Sequence, residues 1–156
     1  MDLRELQQQY LAELRKVTVE KLVRGSLVRT VISEDEGLNL TDGRKEKPKL
    51  MVIVGCDVTR TTYYGSVLVN TKMSPRSAYS TEYLSAQYML RQQDYPEFLA
   101  YDSYADCGVL MAIPVEKLLK GEYFGKLNET DMSGVIGLLL ATDTISNKLK
   151  KRYGLI

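Results

Sequence analysis

The sequence contains no histidine and no tryptophan, and it has only two cysteines, Cys56 and Cys107, among 156 residues. Without histidine the chain lacks the usual general base at neutral pH, so serine-histidine and cysteine-histidine catalysis are excluded. Histidine is also the commonest zinc ligand, and two thiols cannot form a tetrahedral all-cysteine site. The sequence offers no clustered carboxylates for a hard metal ion. We therefore predict no bound metal and no cofactor.

Neither an excess of one charge nor a long apolar run is present. The chain has 21 Lys and Arg against 20 Asp and Glu, so any site for a polyanion must be a local patch. The longest apolar run, around residues 135–141, is far shorter than the roughly 20 residues that cross a bilayer. No charged-then-apolar targeting segment opens the sequence, and two cysteines make no disulfide framework. We expect a soluble, cytoplasmic protein with no membrane partner.

An apolar stripe at steps of three and four predicts an amphipathic helix within residues 1–24. The stripe consists of Leu3, Leu6, Tyr10, Leu14 and Val17. We expect Asp2 and Glu5 to cap the helix, which then runs to about Val23 and stops at Gly25. Two roles are open for it. It packs on the core of its own domain, which is the more common use of such a stripe, or it clasps a partner subunit.

Residues 25–156 form the second predicted unit, a single β-rich domain with a C-terminal helix and a short basic tail. Strands are predicted at 26–32, 50–56, 65–71 and 107–113, with one more between 73 and 100. Residues 50–56 are almost all apolar, which is typical of a central strand buried on both faces. Asn128 and Ser146 are predicted to cap the helix and the tail. The predicted fold class is mainly β with flanking helices (α+β), in the order of a small β-barrel.

The basic turn before the central strand is the strongest candidate for a ligand site. It places four cations within six positions, namely Arg44, Lys45, Lys47 and Lys49. Such a cluster can neutralise a phosphodiester, although a solvated loop is the more common role of a charge run. Thr71, at the end of the following strand, offers a hydroxyl to the same phosphate, where a structural role is again the more common one.

Other candidates carry weaker signals. Asp102 predicts a local hydrogen-bonded turn, and its spacing from Asp106 gives only weak support for an acid-base pair. Cys107 has no cationic neighbour in sequence, so we expect a buried, unreactive thiol. The basic tail, residues 148–152, can grip RNA phosphates while Tyr153 stacks on a base, but cations that favour the dipole of their own helix end are more common.

Read in order, several of these segments resemble the PemK/MazF family of toxins. They are Gly25-Ser26-Leu27-Val28, Lys47-Pro48 leading into residues 50–54, the hairpin that ends at Thr71, Asp102-Ser103, and residues 113–118 and 127–132. The resemblance covers about residues 25–140, and the ordered set carries it rather than any single motif. The N-terminal helix and the tail after about residue 145 lie outside it.

The resemblance implies an SH3-like β-barrel that forms homodimers, cuts single-stranded RNA without metal as an mRNA interferase, and is neutralised by an antitoxin peptide. In such a mechanism a basic residue before the proline and a threonine ending the next hairpin polarise the phosphate while the ribose 2′-hydroxyl attacks. These roles fall on Lys47 and Thr71, and Arg44 is near enough in sequence to supply a guanidinium. The expected RNA-binding residues are Lys45, Lys49 and Lys72.

The chain departs from the family pattern in three places. Lys47 stands where the family has arginine, and an ammonium lacks the planar fork that clamps two phosphate oxygens. Residues 109–111 are apolar where the family commonly has Gln-x-Arg, and Ser26 replaces an acidic residue. Three functions stay open: a toxin-type endoribonuclease, a non-catalytic module of the same fold that holds a peptide or nucleic acid, and an assembly protein with the N-terminal helix as its contact.

Overall fold

The computed structural model describes residues 1–38, 40 and 43–156 of the chain. Its strands are β1 (Ser26–Ser33), β2 (Glu46–Cys56), β3 (Tyr63–Asn70), β4 (Gln87–Leu90), β5 (Ser103–Asp106), β6 (Met111–Pro114) and β7 (Glu122–Lys126). Its α-helices are α1 (Leu3–Arg15), α2 (Thr81–Ser85), α3 (Val115–Leu119), α4 (Glu129–Ala141) and α5 (Asn147–Arg152). Short 3₁₀ turns occur at Val19–Lys21, Glu34–Glu36, Pro75–Ala78 and Gln92–Asp94.

The strands form one antiparallel sheet that curls into a half-barrel, in the order β4-β5-β3-β2-β1-β7. β2 lies at its centre, with Val52 opposite Leu27 of β1 and Leu50 opposite Val69 of β3. The outer edge of β3 is shared, since its end pairs with β5 and its beginning with β6. The predicted fold class, mainly β with flanking helices (α+β), is confirmed.

Alternate residues of β2 enter two different cores, because successive side chains of a strand point to opposite faces. Leu50 and Val52 join a core that includes Leu139 of α4. Met51 joins a second core with Ile113 of β6. The near-continuous apolar run therefore has the predicted cause, a central strand that is covered on both sides.

α1 starts as predicted and ends earlier. Asp2 and Glu5 form a capping box, but the helix stops at Arg15 instead of near Val23. The next residues are Lys16 and then Val-Thr-Val, whose β-branched side chains lower helix propensity. Val17 also leaves the helical path to be buried, with 3% of its surface exposed. The prediction of a helix up to residue 23 was wrong because it assumed that all residues of the apolar stripe, including Val17, belong to one helix.

The apolar stripe of α1 is not packed on the domain. None of the thirteen residues of α1 is buried, and Leu3 and Tyr10 keep 71% and 66% of their surface exposed. The contact of α1 with the sheet is at its end, where the Arg15 guanidinium lies 5.6 Å from the centre of the Phe124 ring of β7. The expectation that this helix packs on its own core was wrong.

The region predicted as one strand over 107–113 is a turn followed by the short strand β6. β5 ends at Asp106, whose Oδ1 accepts a hydrogen bond of 3.2 Å from the Gly108 N–H. Such a local bond competes with the ladder and turns the chain before β6 begins at Met111. β7 was not predicted, since this strand has only five residues and begins and ends with a charged residue. The single strand predicted between 73 and 100 is β4.

α4 is fixed to the sheet through its first turn. The predicted cap is present, since Asn128 Oδ1 accepts from the Asp131 N–H at 2.8 Å. The Asp131 carboxylate accepts hydrogen bonds from the hydroxyls of Tyr88 and Tyr95. Burial, followed by the bond to Asp131, raises the pKa of Tyr88 to about 12. Gly134 allows the close approach, because a Cβ there would lie 2.1 Å from the Tyr88 ring.

Two cations of the basic tail, Lys150 and Arg152, bond to the rest of the folded domain. Ser146 caps α5 as predicted. Lys150 is only 5% exposed, and its ammonium donates to the carbonyls of Leu140 and Thr142 at the end of α4. The Arg152 guanidinium donates to buried Asp57 at 2.9 Å. These cations therefore hold α5 against the domain. They donate to acceptors in other segments, whereas the prediction was that they stabilise the end of their own helix.

Candidate functional site

A groove of about 740 Å³ opens where β2 begins and β3 ends. One wall comes from the first half of β2, and another from the end of β3 with the segment that follows it up to Arg76. Residues 98–100, β5 and β6 also line the groove, together with Arg29, residues 37–38 and Val109. The groove is thus built around the hairpin that the sequence identified as the centre of the fold.

Cations dominate the charged groups of this groove. Those among its described lining residues are Arg29, Lys47, Lys49, Lys72 and Arg76. The described lining contains one carboxylate, that of Asp106. Charges of one sign that line a concave, low-dielectric surface concentrate their field in it. The local excess of positive charge contrasts with the balanced charge of the whole chain.

Four of the six predicted site residues meet in the groove. Lys47 and Lys49 are two apart on β2 and so share a face, while Thr71 and Lys72 follow the end of β3 directly. The pairing of Leu50 with Val69 brings the two strand ends side by side. The other two, Arg44 and Lys45, are exposed and precede β2, and they are not among the described lining residues. Of the loop before them, Asn39, Thr41 and Asp42 lie outside the described residues.

Lys49 differs from an ordinary surface lysine. Its ammonium donates a hydrogen bond to Asn70 Oδ1 across the β2–β3 hairpin. Burial lowers its pKa, and the positive charge of Lys47 lowers it further. Lys49 therefore releases a proton at a lower pH than an exposed lysine does, while its side chain is held in place by the asparagine.

The acidic candidates have structural partners. Asp106 is 8% exposed, and its Oδ1 also accepts from Gln87 Nε2 at 2.8 Å. Asp102 accepts from the Gln92 N–H at 2.8 Å, ten positions earlier in the chain, so this carboxylate joins two segments instead of forming the local turn predicted for it. Cys107 is buried, and burial, followed by the charge of Asp106, raises its pKa to about 12. The predicted burial of this thiol is confirmed, and its raised pKa disfavours the reactive thiolate.

Two arginines of the groove were missed by the sequence analysis. Arg29 interrupts the apolar strand β1, and its guanidinium lies 5.1 Å from the centre of the Phe124 ring. A lone arginine in a β-branched strand is a detectable signal for a functional or interface position. Arg76 lies in the 3₁₀ turn Pro75–Ala78 with its guanidinium 5.6 Å from the Tyr83 ring, and no local pattern marks it.

Apolar side chains share the groove with the cations. Val109 and Met111, which stand at the positions where the resembled family has polar residues, both line it, and so does Phe98. Among the described residues, no group of three or more cysteine or acidic side chains is arranged to hold a metal ion. In the same part of the chain, no helix is both long and apolar enough to cross a membrane.

A curled antiparallel sheet with a cationic groove is the class of structure that these observations define. No protein-family model matches the chain, and no curated protein matches it. Among solved structures it is similar to "Mycobacterium tuberculosis toxin MazF-mt6", at 16% sequence identity and a TM-score of 0.41, over 72% of this chain and 91% of that chain. That toxin carries the name of the family that the sequence segments resemble. At this identity and TM-score the likeness carries no argument about activity.

Proposed function

We propose that the groove binds single-stranded RNA and that the protein is a metal-independent endoribonuclease of the PemK/MazF toxin type. The observation that carries the proposal is the convergence of five cations and the Thr71 hydroxyl on one groove with a single described carboxylate. A nucleic-acid backbone is recognised by such a set of lysines and arginines, each of which displaces a counterion from a phosphate.

A single strand fits this groove better than a duplex does. The groove is concave, and apolar residues line it together with the cations, among them Phe98, Leu99 and Met111. Unpaired bases need apolar or aromatic contacts of this kind, whereas a duplex presents mainly phosphates and sugars to a protein. RNA strands with exposed bases are therefore the proposed substrate class.

The proposed cleavage needs positive charge and a proton relay, and no metal. The 2′-oxygen attacks phosphorus, the bond to the 5′-oxygen breaks, and the 2′ proton is taken up while the leaving oxygen gains one. Lys47 and Thr71 would stabilise the charge that develops on the phosphate oxygens. Lys49, whose pKa burial and Lys47 lower, is suited to the proton transfers. Arg44 keeps its proposed role on the strength of the resemblance alone.

Cleavage of an unstructured RNA in the presence of a chelator tests the enzymatic claim. We expect Lys47→Ala and Thr71→Val to slow cutting by about 100-fold, since each removes a group that stabilises the transition state. The matched control is Lys148→Ala, an exposed lysine outside the groove. Equal, background-level cutting by the unaltered protein and by Lys47→Ala would end the enzymatic claim.

A non-catalytic binding module is the second candidate, and the apolar Val109 and Met111 in the groove favour it. Such a module binds RNA without cutting it. Its affinity would fall steeply with salt, and Lys47→Ala and Lys49→Ala would each reduce the slope of log affinity against log salt by about one. An apolar peptide in the same groove would show little salt dependence. Binding curves at three or more salt concentrations separate the two ligands.

A homodimer, an antitoxin peptide and a place in the cytoplasm are parts of the proposal that come from the resemblance. The mass in solution checks the first of them, because a chain of 17.7 kDa would appear at twice that mass. A monomer at every concentration that sedimentation can reach would contradict it.

A further inference from the structure

A second, smaller pocket of about 310 Å³ adjoins the groove. Four residues line both cavities, namely Arg29, Phe98, Leu99 and Ala100. The remaining lining residues of the small pocket are Arg15, Pro96, Glu97, Glu122 and Phe124. An RNA chain that lies in the groove can therefore continue past Arg29 into this pocket. The proposed cleavage mechanism gives the small pocket no role.

Planar groups, namely aromatic rings and guanidiniums, line the small pocket. The rings of Phe98 and Phe124 have centroids 5.5 Å apart, and both residues are only half-buried. Two guanidiniums lie near the Phe124 ring, that of Arg29 at 5.1 Å and that of Arg15 at 5.6 Å. Aromatic rings and guanidinium planes are the surfaces on which proteins stack nucleobases.

The charge of the small pocket differs from that of the groove. Its described lining includes two guanidiniums and two carboxylates, those of Glu97 and Glu122. A phosphate gains little in such a balanced setting, whereas a neutral, planar ligand with hydrogen-bond donors is accepted by the carboxylates. Its volume is at the lower end of the roughly 300–1,000 Å³ of small-molecule pockets.

We propose that this pocket binds the nucleobase of a nucleotide adjacent to the phosphate in the groove. The base stacks on Phe98, and its exocyclic amino group donates to Glu97 or Glu122, while Arg29 at the junction binds the intervening phosphate. Adenine, cytosine and guanine carry such a group and uracil does not, so the pocket selects against uracil. This inference rests on the proposed function, since it needs RNA in the groove.

The test uses the full-length protein and an eight-nucleotide 2′-O-methyl RNA, which cannot be cleaved through its 2′ position. We expect Phe98→Leu, which keeps an apolar side chain but removes the ring, to weaken binding about tenfold at an unchanged salt slope. Tyr79→Leu is the matched control, since Tyr79 is 93% exposed and lines neither cavity. Thermal unfolding of both variants shows whether the fold is kept.

Two further measurements keep the inference open to refutation if Phe98→Leu folds poorly. A fluorescent 2-aminopurine moved along the RNA is expected to be quenched strongly at one or two positions, where it stacks on the ring. Glu97→Gln is expected to reduce the preference for amino-bearing bases over uracil at those positions. Equal quenching at every position, together with an unchanged base preference, would overturn the base pocket.

The outcomes separate the pocket from the groove. RNA that binds with steep salt dependence but equally well to Phe98→Leu and the unaltered protein overturns the pocket and leaves the groove as proposed. RNA that does not bind the unaltered protein even at low salt overturns the proposed function, and the base pocket with it.

Discussion

Two basic regions of this chain have opposite fates in the folded protein. In the C-terminal tail, Lys150 is buried against two carbonyls and Arg152 is paired with Asp57. At the groove, Lys47 and Lys72 line an open cavity together with other cations. Both regions have a similar density of positive charge in the sequence. The comparison shows that a cation with hydrogen-bond acceptors inside the chain stabilises the fold, whereas a cation without them is available to bind a ligand.

The physical reason lies in the cost of burial. A buried charge is tolerated only with a partner and hydrogen bonds, and the tail provides both from within the chain. The groove holds more cations than described carboxylates, and it leaves them accessible to an anion from solution. Substitutions of Lys150 and Arg152 in the tail should therefore affect stability, and substitutions in the groove should affect binding.

The largest effect is expected at Asp57, the acidic partner of the tail. Its side chain is fully buried and accepts from Arg152, from Thr59 and from the Arg60 N–H. Asp57→Ala leaves those donors without an acceptor and should lower the free energy of unfolding by about 4 kcal/mol, as measured in urea. Asp143→Ala, at an exposed site, is the control. Equal stability of the two variants would contradict the structural role of the tail.

The loss of stability in acid should depend on the same residue, Asp57. Burial opposes ionisation of Asp57, but the hydrogen bonds from Thr59, Arg152 and Arg60 outweigh it and hold its pKa well below the ordinary value. The carboxylate therefore stabilises the fold above a pH of about 4, and this contribution is lost as the pH falls toward the depressed pKa. Between pH 5 and 2, the melting temperature of the unaltered protein should fall more steeply than that of Asp57→Asn. Parallel curves would refute this assignment.

A smaller loss of stability is expected at Lys150. Lys150→Met keeps the length of the side chain but removes two hydrogen bonds to the end of α4, which should cost about 2 kcal/mol. Lys148→Met changes an exposed lysine of the same helix and should leave the melting temperature unaltered. Neither variant should alter RNA affinity. If Lys150→Met weakened RNA binding without lowering stability, the division between the two basic regions would be wrong.

The smallest effect on stability is expected from removal of α1. A chain that lacks residues 1–14 keeps Arg15 on Phe124 and loses no buried side chain, so its free energy of unfolding should change by less than about 1 kcal/mol. Sedimentation of the same variant tests the assembly role of the helix. A dimer that dissociates on truncation supports that role, and an unchanged mass excludes it.

The sequence predicted the parts of the fold that have local causes. The apolar run of β2, the hairpin to β3 and the caps at Asn128 and Ser146 each follow from neighbouring residues, and all are present. The end of α1 depended on a tertiary contact instead, and the turn after β5 depended on a hydrogen bond between a side chain and a backbone amide two residues later. Val17 leaves the helix for the core, and Gly108 turns the chain through a bond to Asp106. A periodic pattern carries neither kind of information.

The same distinction applies to the groove. Lys47, Lys49 and Thr71 belong to one hairpin, so their meeting was predictable from the spacing of its strands. Arg29 lies on β1 opposite Leu50, and Arg76 lies in the 3₁₀ turn that follows β3. The sequence analysis specified neither this strand pairing nor this turn. The structural role of the tail could not be predicted either, because Asp57, the partner of Arg152, lies 95 residues earlier in the chain.

The most direct test is an NMR titration of the isotope-labelled full-length protein with the uncleavable RNA at low salt. The account predicts that amide shifts change at Thr71, Lys72 and Lys49, that added salt reverses the changes, and that Lys148 and Lys151 do not respond. Shifts confined to the C-terminal tail, or no shifts at a large excess of RNA, would contradict it.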